Sequence, residues 1–207
     1  MNRHHPLYAF TALALAALAC APTVSSFKPP SVMTLEAREQ ETATVAAATD
    51  IKIKGSPVIA SPTTTQEKFT DDLSFLEGFA EEGYDSSELS QAGQTYTYTV
   101  ALTKDQAVLF GTSWCTTTQT LLVDNWSHIA LKFIVNDTPI DNSQFTIVET
   151  ESQQDNLVCR YYYTLLYDWP EGEHVLMIKV TFDEQINDGL ADYPAGTHTY
   201  EYDVTVK

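Results

Sequence analysis

The sequence predicts an all-β chain: an antiparallel β-sandwich of about seven strands, preceded by a disordered stem and a short helix. Three observations carry this. Beyond about Gln94 apolar residues alternate with polar ones in run after run, the period of a half-buried strand. Turn residues separate the runs. No long helical pattern interrupts them.

The elements follow in order. In "TYTYTVAL", Tyr96, Tyr98, Val100 and Leu102 share a face, and "AVLFGTSWC" is a second, buried-looking run. "HIALKFIV" sets Ile129, Leu131, Phe133 and Val135 on one side and stops at Asn136-Asp137, residues that favour turns. "FTIV", Phe145 to Val148, is a fourth run. "CRYYYTLLY" alternates Cys159, Tyr161, Tyr163, Leu165 and Tyr167 with Arg160, Tyr162, Thr164 and Leu166, and Trp169-Pro170-Glu171-Gly172 after it reads as a hairpin connection. "HVLMIKVTF" aligns Leu176, Ile178, Val180 and Phe182, and "HTYEYDVTV" closes the set with His198, Tyr200, Tyr202, Val204 and Val206 on one face.

Upstream the composition changes. From 20 to 65 the chain is rich in Thr, Ser, Ala, Pro and Glu, with too little apolar surface to offset the entropy of ordering. It reads as a stem, which as a coil would span roughly 35–40 Å, with "IKIKG" an isolated strand-like run. Residues 66–93 read as a short helix and loop: Phe69, Leu73, Leu76 and Ala80 recur at helical steps, Thr64 with Glu67 fits a capping box, and Gly78 and Gly83 limit the length. The sandwich domain is then 94–207.

Residues 1–19 have the plan of a secretory leader: Arg3, His4 and His5 precede an uncharged run from Leu7 to Ala19. That run is too short for a spanning helix, which needs roughly 20 apolar residues. Ala17-Leu18-Ala19-Cys20 resembles the lipobox of bacterial lipoproteins, with Ala17 where that family most often has Leu. The resemblance implies cleavage before Cys20 and a diacylglycerol on its sulfur, hence an extracytoplasmic protein held to a bacterial membrane by lipid. Each buried methylene adds about 0.8 kcal/mol, so two acyl chains suffice as an anchor. With Cys20 acylated, the three cysteines leave Cys115 and Cys159 as an even pair.

Cys115, Trp126 and Cys159, in that order, resemble immunoglobulin-like domains, in which a bridge between the sheets packs against a buried Trp. The resemblance implies an immunoglobulin-like sandwich and a Cys115–Cys159 disulfide. Leu157 stands where such domains often carry Tyr, so no named immunoglobulin family follows. Two distant cysteines with no neighbouring His or further Cys make no zinc site. The run "WPEGEHVLMIKVTFDEQINDGLADYPAGTHTYEYDV" also resembles the closing segment of bacterial lipoproteins, which implies no activity.

Composition excludes some partners. The chain holds 11 Lys and Arg against 28 Asp and Glu, a net charge of −17, and loss of Arg3 with the leader makes it more negative by one. Phosphate binding needs clustered cations, so no nucleic acid is expected. An anionic membrane surface would repel the chain. The acidity itself suits a soluble, self-repelling surface.

No catalytic motif is present: His128, His174 and His198 sit in no nucleophile setting, and there is no Gly-x-Ser-x-Gly elbow, His-Glu-x-x-His pair or phosphate-cradling loop. Neither a cofactor nor an enzyme activity is expected. "DEQINDGLAD" fails the EF-hand test, because Ile186 and Ala195 would fall on ligand positions; an irregular cation loop from Asp183, Asn187, Asp188 and Asp192, or simply an Asn-Asp-Gly turn, stays open. Trp114, Trp126, Tyr162 and Trp169 are the candidate ligand-binding rings, suited to a sugar face if exposed and to the core if not. Two functions therefore stand, a non-catalytic surface interaction or structural module binding an unknown protein, and a carbohydrate-binding module that would expose those rings in one plane.

Overall fold

The computed structural model describes residues 48–70, 72–83, 86–151 and 156–207, apart from the side chains of Ser86 and Ser87. The leader, Cys20 and the expected stem up to residue 47 lie outside the described residues.

The described chain forms two five-stranded sheets. The first contains β1 (Ile51–Lys52), β2 (Val58–Ile59), β4 (Val108–Thr116), β7 (Thr146–Glu151) and β8 (Val158–Tyr167). Its order is β1-β2-β8-β4, with β7 beside β8. The second holds β3 (Thr95–Leu102), β5 (Ile129–Val135), β6 (Thr138–Ile140), β9 (Gly172–Phe182) and β12 (Gly196–Val206), in the order β3-β12-β9-β5-β6. A small hairpin, β10 (Ile186–Asn187) with β11 (Asp192–Tyr193), lies between β9 and β12. Pairing is antiparallel except between β3 and β12, which run parallel.

Alternation explains the layering. Tyr98, Val100, Leu102, Leu176, Ile178, Val180, Phe182, Tyr202 and Val204 from the second sheet meet Val108, Phe110, Trp114, Tyr162 and Leu166 from the first in one core. Phe110, Phe133 and Phe182 are almost wholly buried, each contributing about 1.5–3 kcal/mol of transfer free energy. The seven expected strands are all present. Asn136 and Asp137 make the expected turn with φ of 45° and 63°, the left-handed pair that joins β5 to β6.

Several expectations are corrected. The stem ends before residue 65, because β1 and β2 join the first sheet and Ile59, Ala60 and Thr65 are buried. The helix is shorter and earlier: α1 (Pro62–Glu67) is capped by Ser61, whose side chain accepts from the Thr64 N–H. Phe69, Leu73 and Phe75 lie instead on the outer face of the first sheet with Leu109 and Leu165, while Leu76 enters the main core. Those residues thus serve two clusters, and their helical spacing reflects no single stripe. Farther on, the buried Glu88 holds residues 86–90 in place by accepting from the Tyr98 hydroxyl at 2.6 Å. Trp169 to Gly172 is a crossing between sheets and not a hairpin, since β9 pairs with β5 and β12.

The disulfide joins Cys115 and Cys159 as expected, but not between sheets. The two are direct partners on β4 and β8 with Cα atoms 4.0 Å apart. Trp114 faces the core, so its neighbour Cys115 must face outward. The bridge therefore clips two adjacent strands, and Trp126 packs elsewhere. In the loop-entropy account, closing a loop across a separation of 44 residues stabilises the fold by about 4 kcal/mol.

Candidate functional site

One end of the sandwich gathers three elements: α2 (Gln119–Ser127), the β10–β11 hairpin and the β7–β8 pair. Helix α2 lies between the end of β4 and the start of β5. Thr118 caps it by accepting from the Leu121 N–H at 3.3 Å, and Leu122 and Asn125 are its buried residues.

The hairpin is built around Asp188. One carboxylate oxygen accepts from the N–H groups of Leu190 and Ala191, at 2.6 and 2.8 Å, and the other from the Tyr193 hydroxyl at 2.8 Å. Asn187 accepts from the Gly189 N–H and donates to Asp192, both at 2.7 Å. Asn125 of α2 donates to the Asn187 carbonyl at 2.8 Å. Gly189 has φ of +95°, and a Cβ there would fall 1.8 Å from Thr117 Oγ1, so only glycine permits this approach. The segment is thus the Asn-Asp-Gly turn. Asp188 spends its oxygens on its own hairpin, and among the described residues no group of three or more His, Cys, Asp or Glu could hold a metal ion. At the tip Leu190 is 72% exposed.

On the other side of α2, Arg160 lies over Trp126 at 4.9 Å and its Nε donates to Glu149 of β7 at 2.8 Å. Gln119 donates to the same carboxylate at 3.1 Å. His128, at the end of α2, bonds through Nδ1 to Asp183 at 2.8 Å, with Nε2 3.5 Å from Glu184. The Asp183 hydrogen bond, helped by the charge of Glu184, raises its pKa.

The three histidines do not converge. His174 is buried, with Nδ1 3.1 Å from the Asn136 amide nitrogen and Nε2 donating to the Pro170 carbonyl. His198 is wholly buried against Phe182, and burial lowers its pKa.

The candidate rings are placed differently from an exposed sugar face. Trp114 is buried against Phe182 and Tyr193, Trp169 packs edge-on to His174, and Tyr162 stacks on Phe133 and Phe145. Trp126 is half-buried beneath Arg160. Strand alternation turns Trp114 and Tyr162 inward and Trp169 is buried in its loop, which leaves no coplanar exposed platform of these four rings such as the carbohydrate reading needed. Sequence reasoning missed Val123, Leu190 and Arg160 as makers of this end; Asp188 was named there, in the Asn-Asp-Gly turn, which was the one signal pointing to it.

This end belongs to an all-β module whose exposed features are a rigid hairpin, a short helix and a sheet edge. No family model matches the sequence, and no curated protein matches it. Several solved structures are similar in part, three of them as follows. "Structure of PbICP-C in complex with falcipain-2" is 12% identical over 57% of this chain and 92% of that chain, with a TM-score of 0.32. The cysteine protease inhibitor EhICP2 from Entamoeba histolytica is 14% identical over 54% of this chain and 86% of its own, at 0.28. Plasmodium falciparum protein Pf12p is 7% identical over 55% of this chain and 42% of its own, at 0.27. At these identities and overlaps the likenesses carry no statement of function.

Proposed function

We propose that this chain is a lipid-anchored, extracytoplasmic, non-catalytic module that binds a protein through the end formed by α2, the β10–β11 hairpin and β7. The observation that carries the binding role is the distribution of exposed apolar side chains. Among the described residues, Val123, Ile147, Val148 and Leu190 are the large hydrophobic residues left exposed, on α2, on β7 and at the hairpin tip. Exposed apolar side chains on elements that adjoin at one end of the fold can supply the apolar part of an interaction surface. The Asp188 bonds and the Cys115–Cys159 bridge, at the ends of β4 and β8, hold that region rigid, which lowers the entropy cost of binding.

Support for the location comes from the lipobox-like Ala17-Leu18-Ala19-Cys20 and from the disulfide, a bond that persists in oxidising compartments. A photo-crosslinking residue placed at Val123 or Leu190 in the producing cells should yield a defined protein adduct, while the same residue at Asp105, on the loop at the opposite end, should not. Adducts from neither region, or equally from both, would remove the binding role. The anchor is tested by intact mass of the membrane-extracted protein, where an unmodified Cys20 would defeat it.

A further inference from the structure

We infer that the outer edge of β7 is a strand-addition site for an extended, basic segment of a partner protein; this rests on the binding role proposed above and names the partner's chemistry. Sheet edges present rows of unpaired N–H and C=O groups, and folded proteins cover, shorten or blunt them. The other edges here are treated in that way. Along β3, Ala80 bridges Val100, Glu81 donates to the Thr99 carbonyl at 2.9 Å, and the Glu82 carboxylate takes the Thr99 N–H at 2.7 Å. Along β4, the Leu109 N–H donates to the Ser74 carbonyl at 2.9 Å and Phe75 forms a bridge. Strand β6 has three residues and contains Pro139, and β1 has two.

β7 is the exception along most of its length, although α1 packs against it and its first residue, Thr146, is buried. The strand is six residues long, contains no proline, and among the described residues its backbone pairs only with β8. Its consecutive residues Ile147 and Val148 are 54% and 36% exposed. Being neighbours in a strand, they point to opposite faces. An incoming strand would therefore meet apolar surface on both sides as well as free backbone groups, the combination used in strand addition.

Charge selects the occupant. Glu149 and Glu151 lie exposed on this strand; Arg160 is bound to Glu149, so among the described residues Glu151 carries the unpaired negative charge of the edge. A second copy of the chain would bring the same glutamates together across an antiparallel pairing, and the chain carries −17 overall. Lysine or arginine alternating with apolar residues complements the edge, because opposite charges steer docking and like charges reject wrong partners.

The test uses the full chain in detergent and a capped Lys-Val-Lys-Val-Lys-Val peptide. Expected are slowed amide exchange confined to residues 146–151 and the β8 residues opposite, weakening with salt, loss of binding when alternate peptide amides are methylated, and about tenfold weaker binding to Glu151→Lys. A Glu-Val peptide should not bind. The inference is overturned if the basic peptide leaves β7 exchange unchanged, if the acidic peptide binds equally, or if β7 becomes protected through dimerisation. Crosslinking at Leu190 with a silent β7 edge would remove this inference alone and leave the binding role standing.

Discussion

The guanidinium of Arg160 lies 4.9 Å from the centre of the Trp126 ring while its Nε donates to Glu149 at 2.8 Å. One side chain thereby ties β8, where it originates, to α2 and β7. Replacing Arg160 by Ala should cost about 1–2 kcal/mol, toward the lower figure because solvent screens the Glu149 contact. Chemical denaturation measures that loss, and faster amide exchange in residues 119–127 would locate it. Lysine should rescue little, since it lacks the planar fork that stacks and donates at once.

His128 makes stability depend on pH. Its pKa is raised, first by the hydrogen bond to Asp183 and then by the charge of Glu184. A raised folded-state pKa means that the contribution is full below the unfolded value of about 6.5 and is lost as pH rises through the higher folded value. The melting temperature of the native chain should therefore exceed that of His128→Gln near pH ~5.5, and the two should converge by pH ~9. A constant difference across that range would contradict the assignment.

Asp50 behaves oppositely. Burial alone would raise its pKa, but the Ser61 N–H and the Tyr167 hydroxyl, donating at 2.8 and 2.6 Å, hold it at about 2. The stabilisation is present above the unfolded pKa of about 3.9 and disappears as pH falls through about 2. Asp50→Asn should cost about 1 kcal/mol at neutral pH after allowance for screening. Limited proteolysis should then release β1 and β2 before the rest of the domain.

Gly189 is the most restrictive position at the hairpin. Ala there must adopt φ near +95° and displace Thr117, a cost of about 1–3 kcal/mol. Melting temperature reports the cost. Chemical shifts confined to residues 117–127 and 183–195 would show that the hairpin has left its seat.

The strands from Thr95 onward were legible because period-two alternation is a local property: Tyr98, Val100 and Leu102 declare their inward face without any partner. The Cys115–Cys159 pairing was expected from the immunoglobulin-like order of Cys115, Trp126 and Cys159 and from the even pair left when Cys20 is set aside, and the Asn136-Asp137 turn was legible from residues that tolerate positive φ. Helix α2 was not, since it buries little beyond Leu122 and Asn125 and shows no apolar stripe. Nor was the absorption of residues 50 to 65, because β1 and β2 are two-residue strands whose membership depends on β8 supplying the hydrogen bonds.

By itself the sequence determined that this would be an acidic β-sandwich with inward tyrosines and leucines, for the period of side-chain direction is written residue by residue. Only the tertiary structure decided which sheet each strand joined, that the disulfide clips neighbours on an outer face, that Trp114, Tyr162 and Trp169 turn inward, and that among the described residues β7 pairs with β8 alone. Those outcomes depend on contacts between residues far apart in the chain, where the free energy of packing and of satisfying backbone hydrogen bonds outweighs any local preference.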